Sequence, residues 1–265
     1  MDKAAADLFL DHFGLSPGQP GLTALGELAG AFSRIPWENL TKYLVRAQDP
    51  AGPERPRMPK QVFEEHVSSG TGGTCFSLTR ALAEVLRRCG YRCRPVMADM
   101  SHWPDIHCGL IVELQGRRVL MDPGYLVPVP VPLHADRPVE TAAGGQVFRY
   151  VPDGRGGWDM RTVRGGEERW RYRLKTAPVT PAQFEGHWRR SFHATGMNSL
   201  HLSRLTEGGR LYAHNGNLRV LSGGTRRNEK LDADYPAAVA ERFGLDPELA
   251  RRAWEELQAA RRERN

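Results

Sequence analysis

The chain changes character at Gly90. Before it, apolar residues recur at helical spacing. After it come short β-prone runs cut by glycine and proline. Helices are predicted over 2–12 and 22–33, the second carrying Leu22, Leu25, Leu28, Ala29 and Phe32 on one face. Pro36 ends that pattern, and Trp37-Glu38-Asn39-Leu40 reads as a turn or short helix. Residues 49–59 hold Pro50, Pro53, Pro56 and Pro59 and read as an extended loop. A helix over 61–68 closes at Gly70, and another follows Cys75, with Leu78, Ala81, Leu82, Val85 and Leu86 on one face.

Strands are expected at 93–97, 108–114 and 118–121, the last two joined by a Gln115-Gly116 hairpin turn. Val127 to Leu133 alternates valine with proline, which suits an edge strand or an extended connector. Further strands are expected at 146–151, 158–164 and 170–174, then a helix over 181–191. Strands at 200–205, 210–214 and 217–221 precede two closing helices at 235–243 and 247–262. Helices first, then antiparallel strands, then a mixed end define an α+β chain rather than alternating βα units.

At 265 residues and 40% hydrophobic, the chain can bury a sizeable core in one large domain or in two or three closely packed ones. Lysine and arginine exceed aspartate and glutamate by 37 − 31, a net +6. That balance favours anionic partners such as nucleotide phosphates or an acidic carrier protein. Trp158, Trp170, Tyr172 and Trp188 are spaced as core residues, so no stacking platform for nucleic acid is expected. The start, from Met1 to Leu8, lacks the apolar core of a secretory leader, and no run approaches a membrane span of about 18 apolar residues. A cytoplasmic protein without membrane association is expected. The charged segment 251–265 reads as a solvated helix face. Four cysteines, Cys75, Cys89, Cys93 and Cys108, are too few for a disulfide framework, so one thiol is free for chemistry.

Cys75 follows Gly72-Gly73-Thr74 and should open a helix. Unpaired N–H groups there favour a thiolate and a developing oxyanion. Local features leave two readings open, a nucleophile or a small buried cysteine. The glycine turn is no phosphate loop, because no Gly-Lys-Ser/Thr follows. His107 opens one expected strand and Asp122 ends the next. A turn centred near residue 115 implies pair sums near 231, and 107 + 122 gives 229, so both fall at one end of the hairpin. A histidine there can serve as base to a thiol, with the aspartate orienting it. Taken singly, each also fits a blander role, a rim histidine and an Asp-Pro-Gly turn. Zinc is the rival use of Cys89, Cys93, His107 and Cys108, but no second cysteine knuckle exists and no metal is expected.

Four motifs in order resemble the arylamine N-acetyltransferase family. Pro36-Trp37-Glu38-Asn39-Leu40 resembles its Pro-aromatic-Glu-Asn-Leu element. Gly72-Gly73-Thr74-Cys75 resembles its Arg-Gly-Gly-X-Cys turn, His107-Cys108-Gly109-Leu110 its histidine strand, and Asp122-Pro123-Gly124-Tyr125 its Asp-X-Gly-Phe element. Asn198-Ser199-Leu200, Ser203-Arg204-Leu205 and Gly208-Gly209-Arg210 resemble the entry to its third region, so the likeness runs from about residue 10 to about 245. It implies a cysteine-proteinase-like fold: a helical bundle over 1–90 carrying the nucleophile, an antiparallel β-barrel over 91–190 carrying His107 and Asp122, and an α/β lid over 191–265. It implies ping-pong acyl transfer through Cys75, with no bound cofactor and with acetyl-CoA or another acyl thioester as co-substrate. The acceptor would be a small-molecule amine. Trp37 and Tyr125 would line its pocket, and Phe76 is added because it adjoins the nucleophile.

The sequence departs from the family pattern at three places. Thr71 replaces the arginine before Gly-Gly, the family partner of the glutamate matched by Glu38, so Arg34 is expected to pair with Glu38 instead. Pro123 and Leu126 replace a valine and a second glycine, which alters the Asp122 loop. Three other readings remain: an amide synthase releasing a chain from an acyl carrier protein, a cysteine hydrolase, and a non-catalytic binding protein.

Overall fold

The computed structural model describes residues 3–49, 51–231 and 234–262. Asp2 of the first expected helix, Pro50 of the loop, and Glu263, Arg264 and Asn265 of the C-terminal helix face lie outside the described residues, as does Met1.

Five helices come first: α1 (Lys3–Phe13), α2 (Leu22–Phe32), α3 (Leu40–Gln48), α4 (Pro59–Ser69) and α5 (Cys75–Arg88). The apolar faces of α1, α2 and α4 meet through Phe9, Phe32 and Phe63, all buried. α5 is enclosed further round than one stripe. Its expected face of Leu78, Ala81, Leu82, Val85 and Leu86 is buried, and so are Ser77, Thr79 and Ala83. Helices cover one side of it and strands the other. Gly70 ends α4 in the left-handed conformation, and a Cβ there would meet the Gly244 carbonyl.

Eight strands form the larger sheet: β2 (Arg92–Met100), β3 (Trp103–Leu114), β4 (Arg117–Met121), β5 (Val131–Pro132), β6 (Val139–Ala143), β7 (Gln146–Pro152), β8 (Trp158–Arg164) and β9 (Glu167–Leu174). Their order is β5-β4-β3-β2-β9-β8-β7-β6, every pair is antiparallel, and the edge strands β5 and β6 approach each other in a nearly closed barrel. Its interior holds Phe148, Tyr150, Trp158, Met160 and Tyr172. The β3–β4 hairpin pairs Leu114 with Arg117 and Leu110 with Met121, the register that a Gln115-Gly116 turn dictates. Of Val127–Leu133 only two residues become strand, because the prolines leave little backbone to donate.

After α6 (Pro181–Arg190), a five-stranded sheet runs β1 (Trp37–Glu38), β10 (His201–Thr206), β11 (Gly209–His214), β12 (Asn217–Ser222) and β13 (Thr225–Lys230). Helices α7 (Tyr235–Phe243) and α8 (Pro247–Arg262) pack on it together with α3. Among the described residues no helix is long and apolar enough to cross a membrane.

Residues 37–38 correct the expected turn. Trp37 and Glu38 pair with Ser203 and Leu202 of β10, and Trp37 also bridges to Gly73. This short strand ties the nucleophile turn to the C-terminal sheet. Asn39 fastens the same junction: its side-chain amide donates to the carbonyls of Gly196 and Ser199 and accepts from the His201 N–H.

Candidate active site

The Gly72-Gly73 turn delivers Cys75 to the first residue of α5. Thr74 precedes it in an extended conformation and makes no side-chain cap, so the opening amides of α5 are not consumed by one. Cys75 is 8% exposed, with Sγ 3.7 Å from the carbonyl of Ile106 on β3. One residue on, His107 is buried, and its Nε2 lies 3.1 Å from Oδ1 of Asp122. Asp122 opens a single 3-10 turn over Pro123–Tyr125 and accepts the Tyr125 N–H at 3.1 Å. Its other oxygen accepts the Tyr172 hydroxyl at 2.6 Å. Both carboxylate oxygens are therefore held, and the imidazole is fixed with its remaining nitrogen free to serve the thiol.

Cys75 and His107 perturb each other. The Cys75 pKa is held well below the usual thiol value, first by a hydrogen bond from Cys108 and then, against burial, by the hydrogen bond and charge of His107, with Lys42 adding a smaller share. Burial disfavours charge on His107, but the Asp122 carboxylate outweighs it and Cys75 adds to the effect, raising the imidazole to about 10. Both shifts favour the thiolate–imidazolium form of the pair. Burial pushes Cys108 the other way, so it stays a thiol, 3.4 Å from Thr79 Oγ1.

Gly124 makes room for this contact. A Cβ there would stand 2.7 Å from both Cys75 Cβ and His107 Cε1. A cavity of about 690 Å³ opens over the three residues, between the barrel and the smaller sheet. Trp37 and Tyr125 line it, Trp37 edge-on to His201 and Tyr125 edge-on to His107. Phe76 reaches its wall, yet is only 1% exposed and packs against Phe184 and Trp188, so its main part is core. Sequence reasoning missed Lys42, Tyr172 and Arg210. Lys42 sits in a helix the sequence did not announce. Tyr172 read as core and is core, apart from its hydroxyl. Arg210, pressed down by burial to about 10, donates to the Tyr125 carbonyl and so braces the loop after Asp122.

The structure overturns the expected Arg34–Glu38 pair. Arg34 lies over the Phe13 ring. Glu38 instead faces Arg57, Nη1 to Oε1 at 3.6 Å, and also accepts from Thr41. Arg57 comes from the proline-rich loop and donates to Gly72 O at 2.9 Å and to Thr41 Oγ1 at 2.6 Å, with Glu65 as a second carboxylate partner. A guanidinium thus reaches Glu38 and the glycine turn from a different part of the chain than Thr71. Pro123 fits the first position of its 3-10 turn. Leu126 adopts the left-handed conformation, φ 52°, which favours glycine, and holds it while only 1% exposed.

A barrel and a smaller sheet enclose a thiol at a helix start, beside a buried histidine and aspartate. The sequence model of the N-acetyltransferase family matches residues 22–252, and the chain belongs to the arylamine N-acetyltransferase family. Solved structures share the fold. The arylamine N-acetyltransferase of Mycobacterium abscessus aligns at a TM-score of 0.80 and 19% identity, over 96% of this chain and 94% of that one. The Mycobacterium smegmatis enzyme gives 0.78 and 23%, over 97% and 99%. That of Bacillus cereus, described as having a unique Cys-His-Glu catalytic triad, gives 0.73 and 16%, over 93% and 99%. Comparison with curated protein sequences finds no match.

Proposed function

We propose that Cys75, His107 and Asp122 are a catalytic triad that moves an acyl group from a coenzyme A thioester to a small amine by a ping-pong route. The observation that carries this reading is the buried Cys75 and His107 side by side at the cavity, with His107 held by a carboxylate anchored at both oxygens. The Cys75 thiolate attacks the thioester carbonyl. The oxyanion that develops is stabilised by the opening N–H groups of α5. His107 gives its proton to the leaving thiolate of coenzyme A, and Cys75 holds the acyl group. The neutral His107 then takes the proton of the attacking amine, and the tetrahedral adduct collapses to amide and thiolate. Asp122 stabilises the imidazolium in both halves without taking its proton.

Arg169, Arg171 and Arg219 line the cavity and suit the phosphates of coenzyme A. Trp37 and Tyr125 offer aromatic faces to an arylamine. Cytoplasmic placement fits the four free cysteines, whose reactive thiolate needs reducing surroundings. The test is kinetic. Initial rates over a grid of acetyl-CoA and arylamine concentrations are expected to give parallel double-reciprocal lines. Intersecting lines would reject the acyl-enzyme route. Turnover only with carrier-protein thioesters would point to an amide synthase, and thioester loss unaffected by amine to a hydrolase.

A further inference from the structure

Lys42 is a basic side chain inside the protein that has no carboxylate partner among the described residues. It projects from α3, is 7% exposed, and lines the same cavity as Cys75. Among the described residues its one hydrogen-bond partner is the neutral Ser191 Oγ at 2.6 Å, and its Nζ rests 4.4 Å from the centre of the Phe192 ring. Ser191 spends its own proton on the Trp188 carbonyl. The remaining N–H donors of Lys42 have no protein acceptor there. A bare buried cation is costly and is ordinarily matched by an anion.

Burial accordingly drags Lys42 down to about 7, and the leading influence that opposes this is the charge of Cys75. That charge exists only in the resting enzyme. When Cys75 becomes a thioester it is neutral, and Lys42 faces an uncharged adduct with Arg46 as a repelling neighbour. Nothing in the packing of α3 calls for the ammonium, since Leu40, Tyr43 and Leu44 are its core residues. An acyl group with a carboxylate of its own would restore the missing charge at the place where the thiolate lost it.

We propose that Lys42 is a specificity-determining residue that selects an acyl group bearing its own carboxylate, the half-thioester of a short dicarboxylic acid. The inference rests on the acyl-transfer reading. In the acylation step the Cys75 sulfur bonds to the thioester carbonyl carbon, the bond from that carbon to the coenzyme A sulfur breaks, and the departing thiolate takes the His107 proton. The distal carboxylate is unchanged and accepts from the Lys42 ammonium as a charge-assisted hydrogen bond.

The test compares acylation rates of the full-length protein by acetyl-, propionyl-, malonyl- and succinyl-CoA, read by intact mass. Malonyl- or succinyl-CoA is expected to surpass propionyl-CoA in kcat/KM by about tenfold or more, the worth of one charge-assisted hydrogen bond. Lys42→Met is expected to abolish that preference, read as the ratio of malonyl- to propionyl-CoA kcat/KM within each variant, and Lys42→Arg to keep part of it. Equal or faster acylation by the uncharged donors would overturn the inference on wild-type protein alone, whatever the variants do. So would a preference that survives Lys42→Met. Failure of every donor to acylate Cys75 would overturn the acyl-transfer reading, and this inference with it.

Discussion

At the residue scale, the site depends on three side chains, Cys75, His107 and Asp122, and on the side chain that Gly124 lacks. The thiolate needs the imidazolium, and the imidazolium needs Asp122. In wild-type protein, the rate of Cys75 alkylation by iodoacetamide is expected to fall less on acidification from neutral pH than that of an ordinary thiol, which slows tenfold per unit below its pKa of about 8.5. The direction follows from the shifts: the lowered Cys75 pKa keeps thiolate present until the pH falls through it, and His107 keeps its proton until the pH rises through about 10. Asp122→Asn removes the largest stabiliser of the imidazolium. The alkylation profile should then move back toward that of a free thiol, and acyl transfer should fall by about a thousandfold or more. Gly124→Ala acts by space alone. Its methyl would overlap Cys75 and His107 at 2.7 Å, so a folded variant should lose about a hundredfold in kcat/KM, with an unchanged circular dichroism spectrum.

At the element scale, Arg57 ties the proline-rich loop to the nucleophile turn. Arg57→Ala would leave Glu38 buried without a cation, and should cost about 3–5 kcal/mol by denaturant melting. Arg34→Ala, by contrast, removes only the stacking on Phe13 and should cost less than about 1 kcal/mol. The helices and the β3–β4 hairpin were legible because their apolar residues keep one period and their turns carry Gln-Gly and glycine punctuation. α3 was not, since its sequence Leu-Thr-Lys-Tyr-Leu-Val-Arg-Ala-Gln is short and buries Thr41 and Lys42 beside its apolar residues. β6 and β13 were not, because each is an edge strand with little to bury. β13 reads Thr-Arg-Arg-Asn-Glu-Lys and is held by its ladder to β12 rather than by an apolar face. β1 is two residues long and exists only because β10, more than 160 residues on, supplies its partner.

At the scale of the whole molecule, the site is an assembly of distant parts. Cys75 and Asp122 could be placed from sequence because each sits at the end of a recognisable element, and His107, though the fifth residue of β3 rather than its first, because the β3–β4 hairpin brings it toward Asp122. Lys42, Tyr172 and Arg210 could not, since nothing local shows that α3, β9 and β11 meet around one cavity. That cavity is cationic in a chain of net charge +6. KM for acetyl-CoA should therefore rise several-fold between low salt and about 0.5 M NaCl, as screening shortens the reach of the arginines, while KM for a neutral arylamine stays level. The central claim is that Cys75 itself carries the acyl group between donor and acceptor. Intact mass spectrometry after mixing the protein with acetyl-CoA and no amine tests it most directly. The account predicts one added acetyl group, located on Cys75, absent from Cys75→Ala and discharged when an arylamine is added. A protein that turns over acetyl-CoA and amine while Cys75 remains unacylated, or whose Cys75→Ala variant stays active, would contradict it.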